Sequence, residues 1–281
     1  MRQPQQQIIK KQFTANSITT SSTTVTKPNH VVLVWFENKA YSQIIGSSSA
    51  PYINSLKTKG TLFTNTYALF HPSYPNYIGF FSGSSKGVTS DACIDSKPYS
   101  TSNLYSALYS KGISFKWYSE GLPSAGSSVC SYGYYREKHN PTTIFTNVAS
   151  SANQPLTALN LTDTSQFKYW PKVLCVTPNM VNDMHDGTIQ QGDTWLKYKF
   201  DKFVQWALKN NSMLVVYFDE DNKLTDNRIP VVIVGQHVMS NNQVATKYDH
   251  YNWTRTILNW MGASTWNTTL ANRVAVTGFY K

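Results

Sequence analysis

Six apolar runs rich in β-branched and aromatic residues punctuate the chain: HVVLVWF (30–36), TLFTNTYA (61–68), ISFKWYS (113–119), KVLCVT (172–177), SMLVVYF (212–218) and IPVVIVG (229–235). Runs of this length without strict alternation predict strands covered on both faces. Between them lie segments with helical spacing: APYINSLKTKG, SNLYSALYSKG with its closing glycine, GDTWLKYKFDKFVQWALKNN and, toward the end, YDHYNWTRTILNWMG. Strand and helix alternate, so the predicted class is α/β, with a central, mostly parallel sheet flanked by helices.

With 41% hydrophobic residues in 281, the chain can bury one full core, and composition does not shift after residue 30. One domain over 29–281 is expected, behind a polar, Ser/Thr/Gln-rich tail of residues 1–28 expected to be disordered. The tail has no apolar stretch long enough for a signal-peptide core, and no run approaches the length of a transmembrane helix. Arg2, Lys10, Lys11 and Lys27 lie in the tail without an acid, which leaves 21 basic and 15 acidic residues for the domain. So modest an excess serves solubility and can attract a phosphate-bearing substrate, but does not predict specific nucleic-acid binding.

In an open α/β sheet, ligands collect at the carboxyl ends of the strands, and here those ends are acidic and polar. Glu37 and Asn38 follow the first run, Asn179 to Asp186 (NMVNDMHD) follow the fourth, and Asp219, Glu220 and Asp221 follow the fifth. Ser73 comes five residues after the second run, in FHPSYPNYIGFFSG. Pro72 and Pro75 each fix φ and restrict the residue before them, so Ser73 is expected on a stiff turn ahead of a helix starting near Asn76. That geometry suits a nucleophile or a plain helix cap. Carboxylates, an Asn oxygen and histidines meeting at one edge call for a divalent cation, because unpaired carboxylates cannot all stay ionised close together.

The three cysteines show no zinc-site spacing. Cys175, inside VLCVT, is expected as a buried free thiol; Cys93 and Cys130 lie in Ser/Gly/Pro-rich loops where a bridge is sterically easy. One disulfide and an oxidising compartment are expected.

The elements VVLVWFENKAYSQIIG, FHPSYPNYIGFFSG, YSEGLPS, KHNP, PNMVNDMHDGTIQQGDTWL, FDEDN with NRIPVVIVG, and DHYNWTRTI together resemble the metal-dependent phosphoesterase family of acid phosphatases and bacterial phospholipases C, which is similar in fold to alkaline phosphatases. The resemblance runs colinearly over about residues 30 to 261. It implies a Ser73 nucleophile and a divalent metal (Zn, Ca, Mg or Mn) held by Glu37, Asn38, Asp219 and Glu220. Asp183, His185 and Asp186, with His250, are implied as either a second metal site or a proton-transfer and phosphate-binding group; His250 is favoured for proton transfer because DHY opens a helix at the same edge. Asn179 is a secondary candidate, four residues before Asp183 on a segment that reads equally as helix or loop. His30, His71, His139 and His237 are read as structural. Relatives also carry cysteines in the loops of Cys93 and Cys130, in line with that pairing.

Two departures stand out. Where relatives bring glycines and often a histidine before IP, this chain has NKLTDNRIP, with Arg228 in that place as a candidate phosphate clamp, which favours one firm metal. Relatives are commonly exported, yet no signal peptide is visible; secretion or another oxidising compartment is still the expected location. The expected activity is hydrolysis of phosphate monoesters, on a small molecule or a lipid head group, through a phosphoserine. A phospholipase C-type phosphodiesterase is the alternative, less favoured without an extra C-terminal domain or long apolar lid. A basic, aromatic-rich binding module without catalysis is the alternative of another class, and turnover of a chromogenic phosphate ester that chelator abolishes separates it from an enzyme.

Overall fold

The computed structural model describes residues 27–281. The expected tail therefore lies, apart from its last two residues, outside the described residues. Those two already belong to the body: Pro28 is buried and the Lys27 carbonyl accepts from Asn211 Nδ2 at 2.9 Å.

In chain order the elements are β1 (His30–Phe36), α1 (Tyr41–Ile44), α2 (Pro51–Lys59), β2 (Thr61–Tyr67), α3 (Ser73–Ser82), α4 (Leu104–Tyr109), β3 (Phe115–Ser119), the hairpin strands β4 (Ser131–Tyr132) and β5 (Tyr135–Arg136), β6 (Asn153–Pro155), β7 (Val173–Thr177), α5 (Ile189–Ala207), β8 (Ser212–Phe218), β9 (Arg228–Gly235), β10 (Asn242–Val244), β11 (Tyr248–Asp249), α6 (His250–Met261) and α7 (Thr268–Ala271). The main sheet runs β10-β2-β9-β8-β1-β7-β3-β6, with β11 also on β2. β9 is antiparallel to both neighbours, and the other pairings are parallel.

All seven residues of β1 are buried, as a central strand with covered faces requires. Consecutive residues point to opposite faces, so its last two report what lies on each side. Trp35 packs on Tyr77 and Phe80 of α3 and on His250 of α6, whereas Phe36 meets Trp195 of α5. Helices α3 and α6 thus cover one face and α5 the other.

Helix α5 starts earlier than GDTW suggests. Thr188 and Gln191 form a reciprocal capping box, with Thr188 Oγ1 accepting from Gln191 N at 3.1 Å and Gln191 Oε1 from Thr188 N at 2.7 Å. Helix α6 is capped by Asp249 and stops at Gly262, which takes the left-handed φ of 66°.

Candidate active site

Parallel strands β1 and β8 pair in register up to Trp35 with Tyr217 and Phe36 with Phe218. The next residues, Glu37 and Asp219, therefore leave the sheet together, and the Asp219 amide still donates to the Phe36 carbonyl at 3.1 Å. By alternation both follow the Trp35/Tyr217 face, toward α3.

Ser73 is itself the first residue of α3, with Pro72 at the cap position. The helix thus begins three residues before Asn76, because Pro75 falls in the first turn, where a missing N–H costs nothing. Asn76 instead staples the preceding turn. Its Oδ1 accepts from the Leu69 and Phe70 amides at 3.0 and 2.9 Å, and its Nδ2 donates to the Phe70 and Pro72 carbonyls at 2.9 and 3.3 Å. So held, buried Ser73 places Oγ 2.9 Å from Glu37 Oε2 and 3.0 Å from Glu220 Oε1. One turn on, Tyr77 donates its hydroxyl to Glu37 Oε1 and lays its ring on His139, centroids 5.3 Å apart.

His139 lies in the short 3₁₀ turn Glu137–His139. Its Nε2 is 3.3 Å from Glu37 Oε2 and its Nδ1 3.4 Å from Asp183 Oδ2. Asp183 also ties its segment to the strand end, since its carbonyl accepts the Glu37 amide at 2.8 Å. Burial lowers the His139 pKa and keeps the ring neutral; burial likewise raises the carboxyls of Glu37, Asp219 and Glu220, and pushes Asp183 up to about 7.

These residues fit a divalent cation. Asp183 Oδ2, Asp219 Oδ2 and His139 Nε2 are buried without a hydrogen-bond partner. One donor atom from each of Glu37, His139 and Asp183 lies within 4.8 Å of the others. Buried, orphaned oxygens next to a neutral imidazole are costly alone and become ligands once a cation offsets their charge. The second group, Glu37, Asp219 and Glu220 around Ser73, shares Glu37 with the first.

Outward lies a cleft of about 380 Å³ lined by Asn38, Lys39, Asp91, His185 and Glu220, among others. Asn38 takes a left-handed φ of 52° and donates its amide to Asp219 Oδ1 at 3.1 Å. His71 bonds Glu220 Oε2 through Nδ1 and stands 3.4 Å from Asp221 Oδ1 through Nε2.

Four expectations need correction. His250 is fully buried, with Nδ1 on the Tyr217 hydroxyl and Nε2 on the Asp219 carbonyl, both at 2.7 Å, and burial lowers its pKa to about 4; it braces the back of Asp219 and does not face the cleft. Arg228 donates to the Thr64 carbonyl and stacks on Tyr41 at 4.0 Å, so its charge is spent away from Ser73. Asn179 lies outside any helix or strand, the loop side of its two readings, but its Oδ1 is taken up by the amides of Val181 and Asn182, both at 3.1 Å, and not aimed at Ser73. Asp186 is half-exposed and holds His185 Nδ1 at 2.7 Å, outside the buried group. Conversely His139 and His71, read as structural, stand inside the cluster, and Tyr77 was not singled out. The signal for His139 was its place in KHNP, among the motifs that carry the resemblance.

Cys93 and Cys130 are bridged and Cys175 is free and buried. Among the described residues no helix is long and apolar enough to cross a membrane.

The phosphoesterase family matches over residues 47–262. Over 223 residues the chain is 42% identical to the phosphatidylinositol-3-phosphatase of Mycobacterium tuberculosis, covering 79% of this chain and 73% of that protein. It is 30% identical to a probable acid phosphatase of Kluyveromyces lactis over 78% of this chain, and spans 55% of that relative's length. Among solved structures, a Vibrio parahaemolyticus protein of the alkaline phosphatase superfamily superposes with a TM-score of 0.62 at 14% identity, over 88% of this chain and 69% of the other. The mixed, mostly parallel sheet with flanking helices is the fold of that superfamily.

Proposed function

The chain belongs to the phosphoesterase family, and from that premise we propose that it hydrolyses phosphate monoesters with a divalent metal and a phosphoserine formed on Ser73. The observation that carries this reading is the Ser73 hydroxyl, fixed by the Asn76 staple at a helix N-terminus and set between two buried carboxylates. A cap alone needs no such cluster.

Glu37, Asp219 and Glu220, with the Asn38 side chain at the cleft, would hold one cation, and Glu37, His139 and Asp183 supply a second set of donors. When bound, the cation would lower the pKa of the serine hydroxyl and offset phosphoryl charge. Ser73 Oγ forms its bond to phosphorus as the ester oxygen leaves, and its proton passes to Glu37 or Glu220, the carboxylates already in contact with it. His185, which lines the cleft with Nδ1 engaged by Asp186, takes the proton-transfer role once expected of His250. Charged, it donates to the leaving alkoxide; neutral, it accepts from the water that later cleaves the phosphoserine.

The relatives named as phosphatases favour monoesters, and the mycobacterial one extends the substrate class to a phosphomonoester on a lipid head group. The disulfide suits an oxidising compartment. Two substrates test the reading: a chromogenic phosphate monoester and phosphatidylinositol 3-phosphate in vesicles. Phosphate release that disappears with chelator and returns with added metal is the expected result. Undiminished release after complete metal removal overturns metal dependence; no release from either substrate overturns the activity.

A further inference from the structure

We propose that Asp91 is a positioning residue: it caps the Tyr74 amide at the N-terminus of the nucleophile helix and holds the Lys138 ammonium beside it, so that Lys138 receives a non-bridging oxygen of the phosphate. This rests on the reading of Ser73 given above and adds the group that recognises the phosphoryl oxygens.

Asp91 Oδ1 accepts from the Tyr74 amide at 3.0 Å and Oδ2 from Lys138 Nζ at 2.8 Å. Both donors adjoin reactive groups. Tyr74 follows Ser73, and Lys138 precedes His139, whose Nε2 is 3.3 Å from Glu37, itself 2.9 Å from Ser73 Oγ. Contacts and chain neighbours thus form a closed circuit around the nucleophile, and Asp91 lines the cleft.

Charge explains why such a residue is needed. The buried acids Glu37 and Asp219 attract the Lys138 ammonium. Direct pairing with Asp91 opposes that pull. Burial by itself would raise the Asp91 carboxyl, but the bonds to Lys138 and Tyr74 outweigh it and leave the group below its ordinary value, hence an anion.

Asp91 stands in a segment without helix or strand, and the Cys93–Cys130 bridge supplies the missing rigidity. Cys130 abuts the hairpin of β4 and β5 that leads to Lys138, and its carbonyl accepts the Glu137 amide at 3.0 Å. The bridge ties together the two segments whose side chains meet as Asp91 and Lys138.

The test is calorimetric binding of inorganic phosphate to the metal-loaded full chain, with kcat and KM for a chromogenic monoester read alongside. Asp91→Asn keeps an oxygen for the Tyr74 amide and removes the negative charge that faces Lys138, so it isolates positioning from capping. Asp91→Asn and Lys138→Met should each weaken phosphate binding and raise KM about tenfold, and the double variant should be no worse than Lys138→Met alone. Cys93→Ala/Cys130→Ala should shift binding the same way in the wild type and add little in Asp91→Asn. Independent, multiplying effects of the two substitutions, unchanged phosphate binding in Asp91→Asn, or no phosphate binding by the parent protein overturns the proposal. Loss of turnover in Ser73→Ala with phosphate affinity retained would leave the nucleophile assignment standing whichever way Asp91 falls.

Discussion

His139 Nε2 lies 3.3 Å from Glu37 Oε2, joining a residue of a short 3₁₀ turn to the end of the central strand. A buried imidazole facing two carboxylates is a donor set that could hold a metal ion. His139→Ala is expected to lower divalent-metal affinity by about tenfold or more, measured by competition with a chromophoric chelator. Unchanged affinity would show that His139 only packs.

Tyr77 touches both donors, through its hydroxyl to Glu37 and its ring on His139. Tyr77→Phe keeps the stack and removes the bond. It should weaken metal binding about tenfold with fold stability lowered by about 1 to 3 kcal/mol, because the freed carboxylate oxygen stays buried. The same chelator competition, run beside a denaturant melt, checks both values.

Asp193 sits in α5 yet serves the start of a different helix. From within α5 its buried carboxylate accepts the Tyr52 and Ile53 amides of α2 at 2.9 and 2.8 Å. Asp193→Ala should destabilise by about 1 to 3 kcal/mol and leave kcat of the folded fraction unchanged. An unaltered denaturation midpoint would contradict this.

His30 is buried with Nδ1 3.0 Å from the Pro171 carbonyl, and burial, outweighing that bond, holds its pKa below 6.5. Between the folded value and 6.5 the unfolded chain binds the extra proton, so stability falls as pH drops below about 6.5 and is retained above it. His30→Gln should lose less stability than the parent between about pH 7 and pH 5, as read by urea melts at each pH. Equal losses would show that His30 does not contribute.

The sheet was legible because its central strands are continuous apolar runs: β1 and β8 occupy the same residues as HVVLVWF and SMLVVYF. Direction was not legible, since IPVVIVG reads the same whether β9 runs with or against its neighbours, and β6, β10 and β11, two or three residues long, carry no pattern. Acids at strand ends pointed to where Glu37, Asp219 and Glu220 meet. His139 was missed because its acidic neighbours come from positions 37 and 183, remote in sequence. For His250, Asp249 correctly marked a helix start, but the ring turned inward onto Tyr217, an orientation set by packing rather than by local sequence.

The most direct test of the nucleophile is Ser73→Ala, with turnover and bound metal measured on the same preparation. On the proposed mechanism Ser73 would supply the atom that bonds to phosphorus, whereas the carboxylates that would hold the cation remain in place in the variant. Monoester turnover is expected to fall by roughly a thousandfold or more with metal content retained, and Glu220→Ala should lower both together. Near-normal turnover by Ser73→Ala would contradict the phosphoserine mechanism and leave the stapled turn as a helix cap.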